Sequence, residues 1–453
     1  MNKICPFSIG TRATTVAARV GTLAVVAGTL SVSATSMLAQ TATVGHGKAG
    51  TPTHFAAASN ASAVGDAGKF LHTNLEIVNL DRAHLTPPKP GELPPYAGYN
   101  IETPASLACV YHFAPSIAGC IPDDTTSNPT GGSETIAIVD AYDDPYAASD
   151  LAFFSAQFGL PLAPGQFEVV YSNGQPINDF TGGWELEESL DIEYSHAMAP
   201  KAKIYLVETP TNSFVDLFAG VVAASNLVVC GKTTTCPAGS KGKGEVSMSW
   251  SGGEFPDELT YDATFTTPGV VYLASTGDAP GVGYPSTSPN VIAAGGTSVA
   301  RSTYNGALHY QVSWAEAGGG LSFYEPTPAY QAVVANQLGG ARGVPDLSFA
   351  ANPDTPVWVW DSFPYEGVVT DGAWYAVGGT SVAAPSLAGV INSAGSFAAS
   401  TAAELSILYT HGNVASSFQD ITYGVCGESA DSLAYPGWDF CSGIGTPVGY
   451  TNK

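Results

Sequence analysis

The stretch AVGGTSVAAPSLAGV, residues 376–390, sets a Gly-Gly-Thr-Ser turn before an apolar run and puts Ser381 four residues ahead of Pro385. Two roles suit a serine at what reads as a helix start. It can cap the helix by accepting a backbone N–H, and neighbouring Thr380 could do the same. It can also be a nucleophile. Free amide N–H groups and the positive end of a helix suit a developing oxyanion, and the glycine pair 378–379 lets a substrate backbone come close. Residue types alone leave both roles open.

A nucleophilic serine needs a base. The segment WELEESLDIE supplies Glu185, Glu187, Glu188, Asp191 and Glu193. Glu187 and Asp191 are four apart and share one helix face, where two ionised groups repel but a shared proton makes a pair that titrates as a unit. A run of acids is ordinarily a solvated face; Leu186, Leu190 and Ile192 show that this helix also packs against something. Asp278, in STGDAPG, follows an apolar strand and is flanked by turn residues, so by itself it reads as a turn former. Asp140 ends another apolar run, and no catalytic role is given to it.

These residues need positioning elements. ETIAIVDAY predicts a buried strand, PYAASDLAFFSAQFG a helix, WELEESLDIEYSHAMAP a second helix stopped by Pro200, and AKIYLVE a second strand. The helix SFVDLFAGVVAASNLVV, strand GEVSMSW, helix DELTYDATF and strands VVYLAST and VIAAGG follow. Apolar strands alternating with amphipathic helices imply an α/β fold with a central, mostly parallel sheet covered on both faces. Ligands of such sheets sit at the carboxyl ends of the strands, where Asp140, Trp250 and Asp278 fall. Residues 40–100, rich in Ala, Gly, Thr and Pro, promise a poor core and are expected to be a linker-like short propeptide or disordered segment. Residues 101–453 form the remaining domain.

Charged residues make up only 12% of the chain, and 39 acidic against 15 basic ones give a formal charge of −24. That balance argues against nucleic acid and anionic membrane as partners. It suits an acidic medium, because protonating every carboxylate would leave at most the 15 Lys and Arg and 8 His as charges. Lys3, Arg12 and Arg19 precede the small-residue apolar stretch VGTLAVVAGTLSVSA, which reads as a signal peptide over residues 1–39 and implies a secreted, extracellular or periplasmic protein; a monomer is expected. The stretch is too short and interrupted for a membrane span. After loss of Cys5, six cysteines fall into neighbouring pairs, 109 with 120, 230 with 236 and 426 with 441, and proximity alone suggests those disulfides. A zinc site finds no CxxC spacing or histidine cluster to support it.

Glu-x-x-x-Asp-Ile-Glu, then Ser-Thr-Gly-Asp, then Gly-Gly-Thr-Ser-x-x-x-Pro, in this order and with these strands between, resembles the sedolisin family of serine-carboxyl peptidases over roughly residues 100–450, which implies a subtilisin-like fold. SHAMAPKAKIYLVE and SMSWSGG look like segments of that family. The resemblance implies Ser381 as nucleophile, Glu187 as general base, Asp191 as the residue that holds Glu187, and a protonated Asp278 that donates to the oxyanion beside the Ser381 N–H. A glutamate is a usable base only while ionised, and a carboxylic acid donates only while it keeps its proton, so both demands favour acid pH. Ser249 and Trp250 are expected to bind substrate, their strand pairing with an extended peptide. QDITYG and AYPGWDFCSGIG look like the family's calcium site, with Asp420 and Asp439 as carboxylate ligands and Ile421, Tyr435 and Gly437 as carbonyl ligands of one structural Ca²⁺; oxygen donors suit that ion. Tyr435 stands where glycine is usual. The large N-terminal activation domain usual in the family has no counterpart in residues 40–100. Two other readings stay open: a subtilisin-like Ser-His-Asp peptidase using Asp140 and His196, and a catalytically dead binding protein on the same scaffold.

Overall fold

The alternation of apolar strands and amphipathic helices does build a parallel sheet. A computed structural model describes residues 53–79, 101–122, 127–232, 242–302, 305–367, 372–427 and 432–453. The proposed signal peptide, residues 40–52 and 80–100, and Cys236 lie outside the described residues. The strands are β1 (Thr53–Ala56), β2 (His72–Thr73), β3 (Glu76–Asn79), β4 (Thr135–Ala141), β5 (Phe167–Tyr171), β6 (Lys203–Thr209), β7 (Gly244–Met248), β8 (Trp250–Gly253), β9 (Val270–Ser275), β10 (Gly283–Tyr284), β11 (Ile292–Arg301), β12 (Leu308–Ser313), β13 (Gly320–Pro326), β14 (Ala341–Val344), β15 (Leu347–Ala350), β16 (Val357–Asp361) and β17 (Ala373–Gly378). The helices are α1 (Pro104–Val110), α2 (Ala147–Phe158), α3 (Gly183–Met198), α4 (Phe214–Cys230), α5 (Ala335–Leu338), α6 (Ala383–Ala394) and α7 (Thr401–His411).

The central sheet runs β12-β11-β9-β7-β4-β6-β5, with β15 also on β11. Every pairing in it is parallel except β11 with β12. Strand order reverses at β4: the chain goes out to β5 at the edge, returns through β6 beside β4, then resumes on the other side at β7. The carboxyl ends of β4 and β7 therefore border the crevice where such sheets bind ligands. Period-two alternation divides the core. Ile136 and Ile138 of β4 pack in the cluster that holds α2, α3 and α6, while Ala137 and Val139 pack with Leu217, Phe218 and Val221 of α4. Helix ends follow local chemistry: Ser213 caps α4 by accepting the Asp216 N–H, and Gly159, at φ 69°, closes α2.

All sixteen residues of α3 are buried, the five carboxylates included. The solvated acidic face is thus not what forms. α3 packs on β4 and β6 with α2, α6 and β16 closing round it, and a Cβ at Gly389 of α6 would lie 2.6 Å from the Met198 Cβ. Only glycine permits that approach.

Three sequence expectations need correcting. GEVSMSW breaks at Ser249 into β7 and β8. DELTYDATF forms two short 3-10 turns, Glu258–Thr260 and Asp262–Phe265, each too brief for an α-helical face. Within the linker-like stretch, residues 53–79 carry β1, β2 and β3, and Leu71, Leu75, Ile77 and Val78 are buried in the core. Their packing comes from partners distant in sequence, which composition does not reveal. Disulfides join Cys109 to Cys120 and Cys426 to Cys441, and Cys230 is also disulfide-bonded.

Candidate active site

Strand β17 ends at Gly378, and the chain turns sharply through Gly379 into the turn Thr380–Val382 and then α6. Gly379 has φ +107°, and a Cβ there would stand 2.1 Å from the Asn74 carbonyl oxygen and 2.6 Å from Asp278 Oδ2. The position requires glycine twice over, by conformation and by space. Pro385 lies in the first turn of α6, where an N–H would lack an intrahelical partner. Neither hydroxyl caps this helix: Ser381 Oγ donates to the Ser249 carbonyl at 3.1 Å, and Thr380 Oγ1 donates to Asp278 Oδ1 at 2.8 Å.

Asp278 follows β9. Its Oδ1 also accepts the Thr380 N–H at 2.7 Å, while its Oδ2 is buried without a hydrogen-bond partner. Burial holds this carboxyl well above the usual range, and the Thr380 N–H offsets only part of that push. A proton on Oδ2 would make it a donor beside the Ser381 N–H.

Glu187 and Asp191 lie one turn apart on α3, fully buried. Burial, then the neighbouring charge of Asp140, raises both above the ordinary carboxylate range; the Ser381 hydroxyl works the other way on Glu187, and the Ser249 hydroxyl on Asp191. Neither Glu187 oxygen has a hydrogen-bond partner of good geometry, because Ser381 Oγ points to Ser249 instead. Ser249 Oγ donates to Asp191 Oδ1 at 2.7 Å, so this side chain props the acid pair and does not face a substrate. Trp250 is also turned inward: its ring is fully buried and its indole N–H donates to the Val139 carbonyl at 2.6 Å.

The residue that sequence reasoning passed over is Asp140, at the carboxyl end of β4. Both its oxygens are buried without a hydrogen-bond partner, and burial pushes it up to about 8. Its charge bears on both Glu187 and Asp191, so three acids share one buried pocket. The signal was an acid ending a buried strand at the reversal of strand order. His196 is not brought to the site. It lies nine residues beyond Glu187, half a rotation away around the helix at about 100° per residue. It is buried without a hydrogen-bond partner, and burial lowers it to about 4.

The N-terminal segment enters the same crevice. Thr73 of β2 pairs antiparallel with Trp250 of β8, and His72 with Ser251. Ile77 and Glu76 of β3 pair with Val377 and Gly378 of β17. Between these strands the Asn74 carbonyl accepts the Ser381 N–H at 3.1 Å, and the Asn74 N–H donates to Ser381 Oγ at 3.2 Å.

The expected calcium ligands share one loop. The Gly437 N–H donates to Asp420 Oδ2 at 2.8 Å, and the Tyr435 N–H donates to Asp439 Oδ2 at 2.9 Å. Asp439 Oδ1 accepts the Cys441 and Ser442 N–H groups, so Asp439 is buried and fixed, while Asp420 is exposed. Among the described residues no group of three or more His, Cys, Asp or Glu could hold a metal. A set of two carboxylates and loop carbonyls is of another kind, and its oxygen-only chemistry suits a hard cation.

No family model matches the chain. It is 29% identical to kumamolisin of Bacillus sp. (strain MN-32) over 77% of its own length and 62% of the relative's, and 26% identical to sedolisin of Pseudomonas sp. (strain 101) over 59% and 48%. The chain thus spans less than two thirds of these relatives. Among solved structures it is similar to Pseudomonas sedolisin, a serine-carboxyl proteinase complexed with two molecules of pseudo-iodotyrostatin, at a TM-score of 0.58 and 22% identity, covering 77% of this chain and 96% of that one.

Proposed function

We propose that the chain, which is similar to kumamolisin and sedolisin and has the subtilisin-like fold, is an exported serine-carboxyl peptidase of the sedolisin family, acting on peptide bonds at acid pH through Ser381, Glu187 and Asp191, with Asp278 as oxyanion donor. One observation carries the reading. Ser381, a buried carboxylate pair and a partnerless Asp278 Oδ2 converge where strand order reverses. Ser381 Oγ rotates from the Ser249 carbonyl to Glu187 and attacks the substrate carbonyl as Glu187 takes its proton. The oxyanion receives the Ser381 N–H and the Asp278 Oδ2 proton. Glu187 then protonates the departing amine, and water repeats the sequence in reverse to free the acid. Asp191, fixed by Ser249, shares the remaining proton of the pair, and Asp140 keeps the cluster from ionising more than once.

The test is the pH profile of peptide cleavage for wild type and His196→Ala. Activity confined to acid pH and retained by His196→Ala supports the Ser-Glu-Asp mechanism. A neutral optimum that disappears with His196 would replace it by a Ser-His-Asp one.

The loop of Asp420, Ile421, Tyr435, Gly437 and Asp439 would hold one Ca²⁺, which when bound crosslinks loop segments and has no part in the chemistry. At near-neutral pH a chelator is expected to lower Tm by several degrees, and Asp420→Ala should remove that response. An identical melting curve with and without chelator would refute the site. Among the described residues no helix is long and apolar enough to cross a membrane. The N-terminal apolar stretch supports export, and peptides, not nucleic acid, are the partners this acidic chain suits.

A further inference from the structure

We infer that Ser251 and Ser275 form a pocket selective for an asparagine side chain on the acyl side of the cut, with Asn74–Leu75 of the chain's own segment 53–79 seated there as the reactive bond. This rests on the peptidase reading above and names its substrate class.

The segment meets the site as an extended peptide meets a strand edge. His72 and Thr73 pair with β8 on one side of Ser381, and Glu76 and Ile77 pair with β17 on the other. The residue between, Asn74, gives its carbonyl to the Ser381 N–H, the donor an oxyanion would use. Asn74 is buried, 6% exposed, and its carboxamide is read at both ends: Nδ2 donates to Ser275 Oγ at 2.6 Å, and Oδ1 accepts from Ser251 Oγ at 3.1 Å. A Cβ at Gly277 would lie 3.7 Å from Ser251 Oγ and 3.9 Å from Asn74 Oδ1, so Gly277 floors this pocket. An apolar side chain there would leave the buried Ser275 hydroxyl and the half-buried Ser251 hydroxyl unpaired, which costs roughly tenfold or more in selectivity.

A second feature separates this segment from a passing substrate. Asn60 spans the reactive bond. Its Oδ1 accepts the Thr73 hydroxyl at 2.6 Å and the Leu75 N–H at 3.2 Å, and its Nδ2 donates to the Leu75 carbonyl at 3.0 Å. The Ala57 N–H also donates to the Leu75 carbonyl at 2.9 Å, and β1 pairs with β3. The residues on both sides of the bond are therefore tied to one turn, which holds the leaving amine in place after cleavage and favours resealing. The segment occupies the cleft and is cut slowly. In the cut itself Ser381 Oγ bonds to the Asn74 carbonyl carbon, its proton passes through Glu187 to the Leu75 nitrogen as the C–N bond breaks, and water then releases an Asn74 carboxylate and restores the Ser381 hydroxyl.

The full chain is incubated at pH 4 and its termini are read by mass spectrometry, beside Ser381→Ala and Asn60→Ala. Slow appearance of a Leu75 N-terminus is expected in wild type, none in Ser381→Ala, and at least tenfold faster appearance in Asn60→Ala. On short peptides that differ only in the residue before the cut, Asn60→Ala should prefer Asn over Leu by about tenfold or more, and adding Ser251→Ala with Ser275→Ala should bring that ratio towards one. An equal Asn-to-Leu ratio in Asn60→Ala, or cleavage of added peptides with the 74–75 bond intact in every variant, overturns this inference and leaves the peptidase standing. Failure of every variant to cut any peptide, with Ser381 unlabelled by a peptide aldehyde even in Asn60→Ala, overturns the peptidase reading itself.

Discussion

The Glu187→Gln protein is expected to lose at least about 10⁴-fold in kcat/KM, as expected when a base that works as a unit with its nucleophile is removed, while remaining folded. The amide keeps the size of the carboxyl group but cannot accept the Ser381 proton. A second effect distinguishes this base from a merely structural acid. Burial raises Glu187, so the folded chain holds its proton more tightly than the unfolded chain does. At pH 4 most of the unfolded glutamate is protonated and the folded cluster of Glu187, Asp191 and Asp140 carries at most one shared charge, so the amide should leave Tm within a few degrees of wild type. At pH 7 the unfolded wild-type glutamate is ionised and the folded one resists, so Gln should raise Tm there. Ser381→Ala should silence the enzyme equally and show no pH-dependent gain. Turnover by Glu187→Gln within tenfold of wild type at pH 4 would refute the mechanism. Equal Tm changes at both pH values would show that the residue does not titrate as its burial requires.

The sheet and its helices were legible because they rest on local periodicity. Strands β4, β6, β9 and β11 and helices α2, α3 and α4 follow from apolar runs and their stops. The candidate residues were legible as types: Ser381 after two glycines, Glu187 and Asp191 one turn apart, and Asp278 after a strand. Their condition was not. Whether an acidic helix faces water or is enclosed depends on what the rest of the chain stacks on it, and α3 is enclosed by segments far away in sequence. Asp140 was visible as an acid at a strand end, but its neighbours Glu187 and Asp191 come from another element. The segment 53–79 was least legible of all. Its composition is that of a linker, and its order comes from pairing with β8 and β17, which lie some 180 and 300 residues downstream. Ser249 and Trp250 lie beside Ser381 and Asp191, yet their side chains point inward, one to Asp191 and the other to the Val139 carbonyl.

The fold should be most stable in acid and should fail as the medium approaches neutrality. Burial pushes Asp140 and Asp144 up to about 8, Glu185 up to about 9 and Glu404 up to about 7, against 3.8 and 4.5 for the free side chains. Glu188, Glu193 and Glu245 are also raised by burial. For each, the folded state binds the proton more tightly than the unfolded state. The stabilisation is complete below the unfolded pKa of about 4 and is lost as pH climbs from there through the folded value. Each proton held only by the folded chain steepens the loss by about 1.4 kcal/mol per pH unit. Three or four such groups would erode a stability of about 5–15 kcal/mol before pH 8 is reached. Tm is expected to fall by on the order of 5–10 °C per pH unit between pH 5 and 7. Calcium acts in the opposite sense, since its carboxylate ligands bind it better once deprotonated. The melts therefore belong in chelator and again in saturating calcium, with the steeper decline in chelator. A Tm that stays level or rises from pH 4 to 7 in chelator would mean that these buried acids are ionised in the folded protein, and the acid-pH mechanism built on Asp278 keeping its proton would fall with that result.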